Sequence, residues 1–229
     1  MIYLIPSPLA EDSLETIPPY VLAAIKECKV IFAENERTAR RFLKSMDKKI
    51  MIDDFEWYAI HKTEERQINI FRQKIKEQKN IAVISEAGCP GIADPGQLLV
   101  AEAQQMHVQV KPLAGPSSIL LALMASGLNG QHFTFHGYLP VDHAARIKKI
   151  KQLEEESLKK KCTQLFIETP YRNDPLLKDI LHSCNARTKV CIAAEITSSN
   201  EWIKTMTVDE WKKKVPSLHK RPVIFLLQA

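Results

Sequence analysis

Short apolar runs alternate with amphipathic or charged segments along the first half of the chain. Such runs are typical of strands buried on both faces of a parallel sheet. We predict strands at 2–5, 29–33, 49–52, 81–84 and 108–113. Helices are predicted between them at 18–27, at 63–77 with Thr63 as N-cap, and at 98–106. A further, basic helix is predicted to follow the loop at 34–36 and to end at about 44. The alternation predicts a mostly parallel sheet in an α/β domain.

The pattern changes after residue 112, where several predicted strands follow one another without a helix between them. Strands are predicted at 133–138, 165–168, 189–195, 202–206 and 223–228, and helices at 144–159, 175–184 and 208–214. Adjacent strands of this kind favour a mixed or antiparallel sheet. We therefore predict two α/β domains, 1–112 and 113–229, which lack a low-complexity linker and should pack closely.

The fourth and fifth predicted strands each run into a loop rich in glycine and proline, at 85–96 and 114–118. Open α/β sheets build ligand sites at the carboxyl ends of their strands. The loop at 85–96 does not have the spacing of a dinucleotide-binding or phosphate-binding motif. A plain turn is the alternative, but Glu86 and Asp94 inside the first loop favour a site. The two loops predict one sizeable ligand held by main chain.

Two serines open the helix that follows the second loop. Ser117 and Ser118 come directly after Gly115-Pro116. Their hydroxyl and N–H groups fit ligand binding at a helix N-terminus better than nucleophilic attack. Simple N-capping is the alternative, and both can hold together.

Polar residues also follow the second predicted strand. Glu34, Glu36 and Arg37 lie where such sheets place active-site groups. A carboxylate and a guanidinium there could orient a polar acceptor, or Glu34 or Glu36 could cap the next helix. These two interpretations stay open. His61 lies in a polar loop after the third predicted strand and could face a cleft.

Composition excludes several classes of protein. The 229 residues are 45% hydrophobic and 26% charged, as in soluble globular proteins, and no apolar run approaches the roughly 20 residues of a spanning helix. No secretory signal is recognised at the N-terminus. The five cysteines include no CxxC pair and the seven histidines show no ligand spacing, so we expect no metal and no disulfide framework. A cytoplasmic protein without a membrane partner is expected.

The net charge of +5 permits a polyanionic partner without requiring one. Most lysine clusters are interpreted as solvated helix faces, because glutamates interleave with them. Arg40, Arg41 and Lys44 lie beside a candidate loop, and for them we keep an RNA-facing role.

Eight short motifs together resemble a known family. In order along the chain they are Pro6-Ser-Pro-Leu9, Ala33-Glu-Asn-Glu-Arg37, Ser85-Glu-Ala-Gly-Cys-Pro90, Asp94-Pro-Gly96, Gly115-Pro-Ser-Ser118, Gly137-Tyr-Leu-Pro140, Glu168-Thr-Pro-Tyr-Arg172 and Ala194-Glu-Ile-Thr197. This order is similar to that of the tetrapyrrole methylase superfamily. The branch it resembles most is that of the ribosomal small-subunit RNA cytidine 2′-O-methyltransferases.

The resemblance implies a methyltransferase dependent on S-adenosylmethionine. It also implies two α/β domains with the cofactor in the cleft between them, and a homodimer. By motif position, the implied cofactor-binding residues are Pro8, Leu9, Gly88, Cys89, Ile92, Ala93, Ser117, Ser118, Ile167, Glu168 and Pro222.

The implied reaction is methylation of a ribose 2′-hydroxyl in small-subunit ribosomal RNA. A group must accept the hydroxyl proton. Our hypothesis gives this role to Glu34 or His61, with Arg37 holding a phosphate or a base edge. Two alternatives stay open, namely a methyltransferase for a tetrapyrrole or another small molecule, and a cofactor-binding protein without catalysis.

The sequence departs from the branch at several motif positions. Ala10-Glu11 replaces Gly-Asn, Glu86 replaces Asp, Cys89 replaces Thr, and Arg221-Pro222 replaces Gly-Glu. The branch also carries a small helical extension after the last strand, whereas the present sequence ends at Ala229. We expect cofactor binding to tolerate these changes, because much of the implied contact is made by main chain.

Overall fold

The computed structural model describes residues 1–60 and 64–229. Within this part, the chain forms two compact units, Met1–Ser117 and Ser118–Ala229, called unit 1 and unit 2 below. The predicted N-cap Thr63 lies outside the described residues. No helix in the described part is both long and apolar enough to cross a lipid bilayer.

Unit 1 is built on a parallel sheet. Its strands are β1 (Ile2–Ile5), β2 (Val30–Ala33), β3 (Glu56–Ala59), β4 (Ile81–Ile84) and β5 (Val110–Pro112). Its helices are α1 (Tyr20–Glu27), α2 (Glu36–Met46), α3 (Glu64–Lys76) and α4 (Gln97–Gln105), and 3₁₀ turns lie at Leu14–Thr16 and Ile52–Asp54. The strand order is β3-β2-β4-β1-β5, and each neighbouring pair is parallel.

Both faces of this sheet are buried, which explains the continuous apolar runs of its strands. Successive side chains of a strand point to opposite faces. Ile31 and Ala33 of β2 accordingly pack in one cluster with residues of α1 and α2. Val30 and Phe32 pack in a second cluster with residues of α3 and α4.

The third strand was predicted wrongly. It lies at Glu56–Ala59 rather than at 49–52, and Ile52 opens a 3₁₀ turn. β3 is an edge strand of the sheet and is only half-buried, so it lacks the apolar run that marks the inner strands. Ile50 is buried in the core without belonging to a strand, and this produced the false signal.

Unit 2 is built on a mixed sheet. Its strands are β6 (Phe133–Tyr138), β7 (Thr163–Ile167), β8 (Lys189–Ala194), β9 (Trp202–Thr207) and β10 (Val223–Gln228). Its helices are α5 (Ser118–Ser126), α6 (His143–Lys160), α7 (Asn173–Ser183) and α8 (Val208–Lys213). The order is β6-β7-β10-β8-β9, with β6 and β7 parallel and the other pairs antiparallel.

The core of unit 2 lies mainly on one face of this sheet. Phe166 and Phe225 stack there at 5.9 Å between ring centroids, and Trp211 of α8 is fully buried with them. Helices α6 and α7 cover the same cluster. The predicted α/β class, with a parallel sheet first and a mixed sheet second, is confirmed.

The loop after β5 lies directly against the loop after β1. A Cβ atom on Gly115 would lie 2.1 Å from Cβ of Pro6 and 2.5 Å from its Cγ. Contacts this short do not occur, and Pro6 itself is buried. Only glycine at 115 therefore allows the two loops to lie this close.

We expect Gly115→Ala to destabilise unit 1 by about 1–3 kcal/mol, the usual cost of overpacking a well-packed site. The measurement is the free energy of unfolding from urea denaturation. Gly130→Ala is the control, because a Cβ there meets no atom within 4 Å. Equal stability of both variants would contradict the close packing of Gly115 on Pro6.

Candidate active site

The carboxyl ends of the unit 1 strands bring four loops to one edge of the sheet. From the strand order, the loops after β2, β4, β1 and β5 follow one another along this edge. They start at Glu34, Ser85, Pro6 and Leu113. This is the edge at which open α/β sheets bind ligands, and most of the candidate residues of unit 1 lie in these loops.

The loops after β1 and β4 are joined by main-chain hydrogen bonds. Ser7 N donates to Gly88 O at 2.8 Å, and Gly88 N donates to Ser7 O at 3.0 Å. Gly88 has a φ of +72°, which favours glycine. The buried Ser7 Oγ donates to Ser85 O at 2.8 Å. The two loops therefore form one fixed base.

The loops after β2 and β4 are joined through side chains. Glu34 Oε2 accepts from Glu86 N at 2.8 Å. Glu86 Oε1 accepts from Asn35 Nδ2 at 3.2 Å and from Thr38 Oγ1 at 3.1 Å. These contacts place the Glu86 carboxylate beside the first turn of α2.

The N-cap of α2 is Asn35, whose Oδ1 accepts from Arg37 N at 3.1 Å and from Thr38 N at 3.2 Å. Helix capping by Glu34 or Glu36 was therefore a wrong alternative. Glu34 instead positions the main chain of the neighbouring loop, which is compatible with a role at this edge.

A third carboxyl group lies near Glu34 and Glu86. Burial, together with the charges of Glu34 and Glu86, raises the pKa of Asp94 to about 7. Burial, with the charge of Asp94, also raises the pKa of the Cys89 thiol. Within the described residues, no group of three or more His, Cys, Asp or Glu is arranged to hold a metal ion.

A pocket of about 510 Å³ opens between the β1 and β4 loops and α2, and is called the α2 pocket below. Pro8, Leu9, Leu14 and Phe42 contribute apolar surface to it. Its polar lining includes Thr38, Arg41 and Glu86. This volume lies in the range of small-molecule sites, about 300–1,000 Å³.

Other predicted residues of unit 1 surround the same edge. Arg37 is exposed in the first turn of α2. Ile92 is 54% exposed, and the exposed Ala93 has a φ of +63°, which is uncommon for a residue with a Cβ. Ser117 is the last residue of unit 1, and Ser118 begins α5. His61 lies outside the described residues.

In unit 2, Glu168 follows Ile167 at the end of β7 and is buried. Its Oε1 accepts from Thr169 N at 2.6 Å and from Nε and Nη2 of Arg172 at 3.0 and 2.6 Å. Its Oε2 is buried and has no hydrogen-bond partner in the described part of the chain. A hydroxyl or amino group of a bound nucleoside could donate to this atom, so Glu168 fits a cofactor of that class.

Pro222 is held by main chain before the last strand. Its carbonyl accepts from Glu195 N at 2.9 Å. The neighbouring Arg221 donates from Nε to Glu195 Oε2 at 2.6 Å. Arg221, which departs from the family pattern, is therefore ion-paired within unit 2.

The roles of Ser7, Asn35 and Thr38 were missed in the sequence. Asn35 carried a usable signal, because Asn directly before a predicted helix is a favoured N-cap. The contacts of Ser7 and Thr38 carried none, because their partners lie 78 and 48 residues away along the chain.

Residues 1–212 match the family of tetrapyrrole (corrin/porphyrin) methylases. The chain belongs to this family. The family assignment made from the eight motifs is thus confirmed, and the protein is a methyltransferase by family.

Among its relatives, this tetrapyrrole methylase is 32% identical over 211 residues to ribosomal RNA small subunit methyltransferase I of Vibrio cholerae serotype O1. That match covers 92% of this chain and 69% of the relative. The fold is similar to that of the methyltransferase CobJ, with a TM-score of 0.66 and 14% identity, covering 99% of this chain and 93% of the other.

A further similar structure is that of uroporphyrin-III C-methyltransferase from Thermus thermophilus, complexed with S-adenyl homocysteine. The TM-score is 0.58 at 14% identity, with 99% of this chain and 96% of that chain covered. At 14% identity, these two structural similarities establish the fold of the tetrapyrrole methylase and nothing beyond it.

We expect the stability of this tetrapyrrole methylase to depend on pH through Asp94. Its pKa in the folded protein, about 7, exceeds that of an unfolded aspartate, about 4. The folded state therefore binds this proton more tightly, and the resulting stabilisation, complete below pH 4, is lost as the pH rises to 7. Asp94→Asn should thus gain stability relative to the wild type over this range.

The carboxyl ¹³C shift of Asp94, followed by NMR against pH, measures this pKa directly. Glu34→Gln should lower it, since a neighbouring negative charge is removed, whereas Glu36→Gln should not. A titration midpoint near 4 in the wild type would show that Asp94 is not perturbed.

We also expect Arg172→Ala to reduce the stability of unit 2 by about 1–3 kcal/mol, because it leaves the buried Glu168 carboxylate without its cation. Thermal and urea unfolding are the measurements. Arg187→Ala is the control, since Arg187 is exposed and its side chain has no ion-pair partner among residues 1–60 and 64–229. Equal melting temperatures for the two variants would refute a stabilising role for the pair.

Proposed function

We propose that the protein transfers a methyl group from S-adenosylmethionine to a ribose 2′-hydroxyl of small-subunit ribosomal RNA. The observation that carries the substrate class is the Vibrio cholerae relative, which is named a ribosomal RNA small subunit methyltransferase and matches 92% of this chain. The cofactor is supported by family membership and by the fold relative complexed with S-adenyl homocysteine. The choice of the ribose 2′-oxygen as methyl acceptor rests on the motifs that resemble the family branch.

The proposed cofactor residues in unit 1 are Pro8, Leu9, Gly88, Cys89, Ile92, Ala93, Ser117 and Ser118. The bonds between Ser7 and Gly88 hold the first four of these in fixed loops. In unit 2 the proposed residues are Ile167, Glu168 and Pro222, and the unpaired Oε2 of Glu168 supports the inclusion of that residue. The bound cofactor would supply an electrophilic methyl group on a sulfonium centre.

The carboxylates of the sheet edge suit that ligand. Glu34 and Glu86 lie close enough to Asp94 for their charges to raise its pKa. A negative local field favours a cationic ligand over its neutral product. These groups would thus contribute to cofactor preference without contacting the transferred methyl group.

On the acceptor side, Glu34 is the proposed proton acceptor within the described residues. Its Oε2 is engaged with Glu86 N, which fixes the orientation of the carboxylate. Arg37, exposed in the first turn of α2, would hold a phosphate or a base edge. His61 stays the alternative proton acceptor, on sequence grounds only.

Two further properties are part of the proposal. The protein would act as a homodimer, as the family branch implies, and sedimentation velocity tests this. It would work in the cytoplasm, which agrees with five cysteines that are free and mostly buried.

The decisive test uses the purified protein, labelled S-adenosylmethionine and small ribosomal subunits from cells lacking this chain. We expect label in the RNA at one nucleotide whose 3′ linkage resists alkaline hydrolysis, as 2′-O-methylation requires. Glu34→Gln should lower kcat at least tenfold, and Arg37→Ala should chiefly raise KM.

Calorimetry separates the alternatives. Heat on titration with S-adenosylmethionine, but no turnover on RNA, would favour a cofactor-binding protein. Turnover on a tetrapyrrole instead of RNA would favour the small-molecule alternative. If Glu34→Gln, Arg37→Ala and His61→Ala all keep full activity, the acceptor-side assignment is wrong.

A further inference from the structure

The α2 pocket has two kinds of wall. Leu9, Leu14 and Phe42 offer apolar surface, as a planar base requires. Thr38, Arg41 and Glu86 add a hydroxyl, a cation and a carboxylate. Concave apolar sites with a few polar groups of this kind are the usual form of a small-molecule site.

The pocket adjoins the turn proposed to bind the cofactor. Leu9 lines the pocket, and its Cδ2 lies 3.3 Å from the position that a Cβ on Gly88 would occupy. Leu9 therefore forms a wall shared by the α2 pocket and the Gly88 turn. Transfer of a methyl group requires donor and acceptor to lie side by side, and this arrangement meets that requirement within unit 1.

Glu86 is a charged group of the pocket whose position is fixed by hydrogen bonds. Three contacts from the β2 loop and α2 hold its main chain and its Oε1, through Glu34, Asn35 and Thr38. The side chain nevertheless stays exposed. A fixed carboxylate accepts hydrogen bonds and repels phosphate, so it selects a partner that carries N–H donors.

Arg41 is the cation of the pocket. It is exposed, and it has no hydrogen-bond or ion-pair partner in the described part of the chain. The preceding Arg40, in contrast, pairs with Glu36 at 3.1 Å and lies 4.9 Å from the centre of the Trp57 ring. Arg41 is thus the arginine of this helix that both lines the pocket and keeps its guanidinium for a ligand.

We propose that the α2 pocket receives the acceptor nucleotide, with its base against Leu9, Leu14 and Phe42. Glu86 accepts a hydrogen bond from the exocyclic amino group of that base, and Arg41 pairs with the adjacent phosphate. Carboxylates accept from the N4 amino group of cytosine in this way, and RNA is commonly read as unstacked single-stranded bases. The role in catalysis rests on the proposed function, whereas nucleotide binding in the pocket can be tested alone.

The binding test uses cytidine 5′-monophosphate and uridine 5′-monophosphate, which differ at position 4 of the base. Each is titrated into the protein with ¹³C-labelled leucine methyl groups, and the Leu9 and Leu14 signals report the pocket. The wild type should bind the cytidine nucleotide at least fivefold more tightly, the lower end of the discrimination by one well-placed contact. Glu86→Gln should abolish this preference, because an amide can also donate to the uracil carbonyl.

Arg41→Ala should weaken the binding of both nucleotides at least fivefold. The binding of cytidine itself, which lacks the phosphate, should stay unchanged. In the methylation assay the variant should raise KM for small subunits about tenfold while kcat and the Kd for S-adenosylmethionine stay the same. The matched controls are Arg66→Ala and Glu65→Gln, exposed positions of α3 outside the pocket lining. Both should behave as the wild type.

The outcomes separate the two proposals. If small subunits are methylated but neither nucleotide shifts the Leu9 and Leu14 signals, the pocket assignment is overturned and the function stands. If the nucleotides bind with the predicted preference but no RNA is methylated, the pocket stands and the proposed function fails. Equal binding of both nucleotides by the wild type, or an unchanged preference in Glu86→Gln, overturns the role of Glu86.

Discussion

The close approach of the β1, β4 and β5 loops is the constraint on which the candidate site depends. Ser7 and Gly88 exchange two main-chain hydrogen bonds, and Gly88 reaches its conformation at φ +72°. Gly115 lies against Pro6 at a distance that no other residue permits. The loops are thus positioned by backbone and by the absence of side chains. The side chains of Cys89 and Glu86 make neither of these contacts: Cys89 Sγ lies 3.5 Å from Pro116 O, and Glu86 bonds to Asn35 and Thr38. Both residues can therefore differ from the family pattern without removing the contacts that join the loops.

The sequence predicted the inner part of the fold better than its edge. β1, β2 and β4 are buried on both faces, so their apolar runs are unambiguous. β3 is an edge strand, and its aromatic residues Trp57 and Tyr58 are half-buried. Such a strand has little need for aliphatic residues, so the apolar Ile50–Ile52 segment next to it gave the stronger and misleading signal.

The location of the candidate site was predictable from the sequence, but its hydrogen bonds were not. Glycine-rich and acidic loops after successive strands were sufficient to locate the edge of the sheet. The bonds that orient Glu86 join residues 48 to 52 positions apart, and they depend on the register of β2 beside β4. Nothing local in the sequence encodes that register. Arg40 and Arg41, adjacent in sequence and alike in chemistry, differ in their partners because successive residues of a helix point in different directions. Arg40 meets Glu36 one turn earlier in α2 and the Trp57 ring of β3, whereas Arg41 lines the α2 pocket.

The distribution of charge explains how a mildly basic protein could serve both a cationic cofactor and a polyanionic substrate. Charges are screened over about 8 Å at physiological salt, so the net charge of +5 matters less than the groups at each spot. Glu34, Glu86 and Asp94 gather at the carboxyl edge of the sheet, whereas Arg37 and Arg41 stand on the adjoining helix. In the proposed reaction the three carboxylates face the sulfonium of the cofactor, and the two arginines face the phosphates of the RNA. Glu86 lies at the junction, where a carboxylate can read a base edge, provided that an arginine offsets its repulsion of the backbone phosphate.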